Sequence, residues 1–175
     1  MSATAPARPE PGEYAPYYEK YVSLVPAGDI VETLERQSAE TLALLRGVPE
    51  ERADSAYEPG KWSVKELVGH VVDTERVFSH RALRFGRGDR TPLPGFEQDD
   101  YVRGANFGAR SLADIAEEFA RVRAATVALL RSFDEEAWAR RGTANDNEVS
   151  VRALAHILAG HELHHMGILR ERYLA

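Results

Sequence analysis

Residues 150–173, SVRALAHILAGHELHHMGILRERY, read as one helix that turns imidazoles toward its apolar side. Ser150 is placed to cap it. At about 100° per residue, Leu154, Ile157, Leu158 and Ile168 fall within about 60° of His161, so His161 faces the core. His165 lies about 40° to one side of it and His164 about 60° to the other, while His156 points roughly the opposite way. Side chains at i and i+4 are neighbours on one helical face, so His161 and His165 can both reach one metal ion. Imidazoles without partners are costly to bury, which favours a metal over core histidines that only hydrogen-bond to their neighbours. The string His161-Glu162-Leu163-His164-His165 also spells the His-Glu-x-x-His of zinc proteases, where the glutamate is a general base. That is the rival reading, and it requires Glu162 to work about 100° away from His161 around the helix.

The chain as a whole narrows the choice. Its 175 residues make one domain large enough to bury a core. A net charge of −6 argues against a nucleic-acid groove, which needs clustered Lys and Arg. The sequence has no cysteine, so a metal must be held by nitrogen and oxygen. The first residues, MSATAPARPEPGEYAP, lack a basic start followed by an apolar run, and no segment approaches the ~20 apolar residues of a membrane span. A cytoplasmic protein without a membrane or nucleic-acid partner is expected. Residues 1–13, rich in Ala, Pro and Glu, are expected to be disordered, and 14–175 to form the single domain.

Further helices follow from capping signals and spacing. Asp29 with Glu32 opens a helix that carries Ile30, Leu34, Thr41, Leu42 and Leu45 and ends near Gly47. After the turn YEPGKW, Ser63 and Glu66 form a capping box for a helix to about Gly86, with Val64, Leu67, Val71, Thr74, Phe78 and Phe85 as its core stripe. His70 lies at the margin of that stripe, where it can look into a cleft, with Glu66 and Asp73 beyond it. Residues 86–111 read as a long loop, and loops of that length inside a domain are usually functional. Ser111 opens a third helix with Leu112, Ile115, Phe119, Val122, Thr126, Leu129 and Leu130 buried and the charges from Glu117 to Arg123 on its wet side. Asp134–Trp138 reads as a short helical turn and TANDNEV as a loop, with no credible run of strands. The architecture expected is all-α: a four-helix bundle with long crossover loops and a site built between facing helices. Ala153, Gly160 and Gly167 recur on another side of the last helix, where a neighbouring helix or a second subunit can approach closely.

The segments PGKWSVKELVGHVVDTERVF, PLPGFEQDDYV and AGHELHHMGILRERYL together resemble the DinB/YfiT-like superfamily, over about Tyr57 to Tyr173. The resemblance implies a four-helix bundle with a divalent metal, nickel or zinc, held by three histidines, here His70, His161 and His165. It also implies a homodimer and a small-molecule substrate, in some relatives a low-molecular-weight thiol. Three protein nitrogens leave positions open on the ion, the arrangement of a catalytic site. The expected function is therefore that of a metal-dependent enzyme that activates a thiol or water, a thiol S-transferase or a hydrolase. The alternative is a metal-stabilised bundle that binds a ligand or protein partner without chemistry. His164, Asp73 and Tyr101, with Glu162, Asp99 and Asp100, are candidates for orienting ligands or moving a proton.

Overall fold

The computed structural model describes residues 6–175. Its helices in chain order are α1 (Glu19–Val22), α2 (Ile30–Arg46), α3 (Glu50–Ala53), α4 (Val64–Gly86), α5 (Gln98–Ala105), α6 (Leu112–Arg131), α7 (Glu135–Ala139) and α8 (Val151–Ile168). Strands β1 (Arg141–Ala144) and β2 (Asn147–Ser150) lie between α7 and α8, and a π-helical turn, Leu169–Tyr173, follows α8. Each of the four long helices begins at a side-chain cap. Asp29 accepts from the amide of Val31 at 2.7 Å and Ser63 from Glu66 at 3.2 Å; Ser111 accepts from Asp114 and Ser150 from Ala153, both at 3.1 Å. Such a cap stabilises a helix start by about 1 kcal/mol. At α4 the capping box is complete, because Glu66 accepts in return from the Ser63 amide at 2.7 Å. At α2 Asp29 caps alone.

α2 and α4 each pack against both α6 and α8, so the order around the bundle is α2, α6, α4, α8. The apolar interior is divided into two clusters. One collects Leu34, Phe78, Phe85, Leu130 and Leu154 with the N-terminal tyrosines, and the other collects Leu45, Leu67, Phe119, Ile115 and Met166. Between them lies a polar waist to which every long helix contributes: Thr41, Glu75, Arg123 and Glu162. Arg123 donates through Nε and Nη2 to the two carboxylate oxygens of Glu75, each at 2.8 Å, through Nη2 to Glu162 at 2.8 Å, and through Nη1 to the Leu34 carbonyl at 2.9 Å. Thr41 donates to Glu162 at 2.6 Å.

Several expectations need correction. Arg123 is 2% exposed and not on the wet side of its helix, because α4 and α8 both bring carboxylates to it. The long loop contains α5, started by Glu97, and TANDNEV forms the β1–β2 hairpin around Asn145 and Asp146, both at positive φ. That turn needs residues that tolerate the left-handed region, and Asn and Asp do. Leu93 pairs with Ala144 beside the hairpin and ties the loop to it. Residues 8–13, expected to be disordered, are packed: Arg8 donates to the Val25 carbonyl at 2.9 Å, and Glu13 is buried, accepting from Ser150 at 2.6 Å and Arg152 at 2.7 Å. Residues 1–5 of that stretch lie outside the described residues. The close neighbour of Gly160 is the α1 backbone, since a Cβ at Gly160 would lie 2.0 Å from the Tyr21 carbonyl oxygen. Gly167 has no such neighbour.

Candidate metal centre

His70 leaves α4 and His161 and His165 leave α8 beside the polar waist, with Glu162 about 100° from His161 and about 60° from His165 around α8. Their ring nitrogens offer one ligand atom each, all within 4.8 Å of one another. Nε2 of His70 and Nε2 of His161 are 3.0 Å apart. The rings are edge to face, with centroid separations of 4.4 Å for His161–His165 and 4.8 Å for His70–His165. Thr74, one turn beyond His70, holds its hydroxyl 3.4 Å from His70 Nδ1, the polar contact that sets that ring's orientation.

Burial keeps all three imidazoles neutral, the form that ligates a metal. It pushes His70 down to about 4 against the opposing charge of Asp99, and His165 down to about 3, with further lowering from His70, His164 and Lys20. His161 is lowered well below its ordinary value by burial and then by the neighbouring histidines.

The residues fit a divalent cation. Nδ1 of His165 is sealed from solvent without a hydrogen-bond partner, and a polar atom left so costs about 1–3 kcal/mol. Three neutral nitrogens without thiolate or carboxylate suit zinc, nickel or another late first-row ion and not calcium or magnesium. Around the cluster, Trp62 packs on His70 at 4.7 Å, and Tyr21 meets both His161 and His164 at 5.4 Å. Lys20 lies 3.8 Å over the Tyr17 ring.

The other candidates separate cleanly. His164 is half-buried beside the triad, 5.1 Å from the His165 ring. Asp73 pairs with Arg76 of its own helix at 3.5 Å, Arg76 reaches Glu118 of α6 at 2.6 Å, and burial raises the Asp73 carboxyl. Glu162 is committed to Arg123 and Thr41 and has no contact with the triad, so the protease-like arrangement is absent here. Asp99 is close enough to act electrostatically on His70, Asp100 pairs with Arg103, and Tyr101 stacks on Phe96 at 5.1 Å. His156 donates Nδ1–H to the Arg152 carbonyl at 2.8 Å, and His80 is exposed. Sequence reasoning passed over Trp62, Tyr21 and Lys20, and the aromatic density of Tyr14–Tyr21 was a signal for the last two alone.

A family profile described as the DinB superfamily matches residues 33–169. The chain belongs to the DinB superfamily. Among solved structures this DinB-superfamily chain is similar to YfiT from Bacillus subtilis, described as a probable metal-dependent hydrolase with an unusual four-helix bundle topology. The TM-score is 0.75 at 16% identity, over 97% of this chain and 94% of that one. At that identity the likeness speaks for the fold. No curated protein matches the sequence. No helix is long and apolar enough to cross a membrane among the described residues.

Proposed function

We propose that His70, His161 and His165 hold one divalent ion, zinc or nickel, and that the protein is a metal-dependent enzyme acting on a small molecule, a thiol S-transferase or a hydrolase. The observation that carries this is the convergence of three neutral nitrogens, with no fourth protein ligand among the described residues at their junction. A structural site closes its coordination with protein atoms, and a catalytic one keeps a position open. An ion held there supplies Lewis acidity toward a thiol or water.

The chain's own residues would do the rest. Thr74 orients His70, as groups behind a ligand commonly do. Tyr21 and Trp62 cover the imidazoles and exclude bulk water. His164, free of the triad and half-buried, is placed to take the proton released when a thiol or water is activated. Lys20, which contributes to lowering the pKa values of His161, His164 and His165, sets a positive field that favours an anionic nucleophile.

Replacing His70, His161 or His165 by Ala should remove most of the metal found by elemental analysis, and replacing His80 or His156 should not. Full occupancy in H161A defeats the assignment. In the cobalt-substituted protein a low-molecular-weight thiol should shift the visible absorption. A spectrum silent to every thiol, combined with turnover of ester or amide substrates, selects the hydrolase. Deleting residues 94–101 should impair turnover more than metal binding.

A further inference from the structure

About three turns beyond His70, α4 carries a second charged group on the same face. Ideal geometry puts Arg81 about 20° from His70 around the helix and about 16 Å along it. Arg81 is 4% exposed. Of the three buried cations among the described residues, Arg123 lies between Glu75 and Glu162, and Lys65 is held by Glu50 and Asp54. Arg81 has no carboxylate partner. It donates to the Pro94 carbonyl at 3.1 Å and to the Tyr18 hydroxyl, and its guanidinium lies 4.9 Å over Phe78 and 6.0 Å over Phe96. Aromatic faces stabilise such a cation in part. Neither the rings nor these neutral acceptors cancel its charge, and its planar fork of donors matches a carboxylate.

A row of rings joins this cation to the histidines. Tyr21 meets His161 at 5.4 Å, Tyr18 lies 6.4 Å from Tyr21 and 5.9 Å from Phe78, and Phe78 lies under Arg81. The segment from Pro94 to Tyr101 closes over the far end through Phe96. Metal-binding nitrogens, an aromatic wall and a buried cation without a carboxylate partner therefore follow one another beside α4.

We infer that Arg81 is the anion-recognising residue of this site, and that the substrate is elongated, with a metal-binding donor at one end, an apolar middle and a carboxylate at the other. The inference rests on the metal site proposed above. It gives the loop a role as well: Pro94 fixes the guanidinium and Phe96 flanks it.

Calorimetric binding to the zinc-loaded full chain tests it with two probe pairs: mercaptoundecanoic acid and its methyl ester, and dodecanedioic acid and its monomethyl ester. In the wild type each free acid should bind at least about tenfold more tightly than its ester, which is about 1.4 kcal/mol. In R81Q and R81M, both made because a buried site can reject one of them, the ratio should fall to about one while zinc content and 2-mercaptoethanol binding stay unchanged. Equal affinities of acid and ester in the wild type overturn the inference without any variant, and so does a ratio that survives loss of Arg81. If the thiols fail to bind and the dicarboxylate keeps its dependence on Arg81, the thiol reading falls and the anion subsite stands. If all four probes bind with no dependence on Arg81, the reverse holds.

Discussion

Glu162 and Arg123 meet at 2.8 Å in the waist of the bundle, one residue along α8 from His161. Because neighbouring residues on a helix point about 100° apart, locking Glu162 onto α6 fixes the rotation of α8 and with it the direction of His161 and His165. The same guanidinium serves Glu75 on α4, the helix that supplies His70. One arginine thus holds both ligand-bearing helices from behind.

Arg123→Met should be strongly destabilising, because it leaves two carboxylates buried without a cation. Breaking such an arrangement costs about 3–5 kcal/mol, and urea unfolding of metal-free protein measures it. A change below about 1 kcal/mol would show that the waist tolerates its charges unpaired.

Glu162→Gln has a different outcome. Arg123 keeps both bonds to Glu75, and burial already raises the Glu162 carboxyl toward its neutral form. Metal content should be unchanged and turnover retained within a few-fold. A loss of several orders of magnitude would revive the protease-like general base.

The contrast between these two residues marks how far the sequence was legible. Ser63, Ser111 and Ser150 announced their helices because a cap is a local signal, and the histidine face of α8 followed from spacing within one helix. Arg123 was misplaced because its partners sit on α4 and α8, far away in the chain, and an arginine amid surface charges looks solvated. Arg8 and Glu13 escaped for the same reason: a Pro-rich start reads as disorder until Ser150 and Arg152 are known to face it. The hairpin was missed because Asn-Asp is a weaker turn signal than Asn-Gly.

Acid should loosen the N-terminal segment. Burial alone would raise the Glu13 carboxyl, but bonds from Arg152 and Ser150 outweigh it and hold the group at about 2, against an ordinary value of 4.5. A carboxyl depressed by folding contributes stability that is complete above its unfolded value and is lost as pH falls toward the folded one. Thermal unfolding should therefore decline between about pH 4.5 and 2, and Glu13→Gln should flatten that part of the profile while lowering stability at neutral pH. An unchanged slope in the variant would remove Glu13 from the account.

Gly160→Ala should dislodge α1. The new methyl would lie 2.0 Å from a backbone carbonyl oxygen at Tyr21, which cannot rotate away as a side chain does, so a cost of about 1–3 kcal/mol is expected. Limited proteolysis should then cut within residues 8–25 sooner than in the wild type, and hydrogen exchange there should accelerate. Equal protection would mean that the segment is anchored by Arg8 and Glu13 alone.

The bonds that cross the waist also set an order of assembly. Thr41 and Glu162 are 121 positions apart, so their contact waits for α8, whereas Glu75 and Arg123 are 48 apart and can meet earlier. A nascent chain emerging from the ribosome N-terminus first can close Glu75 on Arg123 as a neutral pair before α8 exists. Helix α8, made later, then brings the second carboxylate and two of the three imidazoles together. Competence to take up metal is therefore expected to arise only once α8 has been made, and a chain stalled before Val151 should present neither half of that step to the cell.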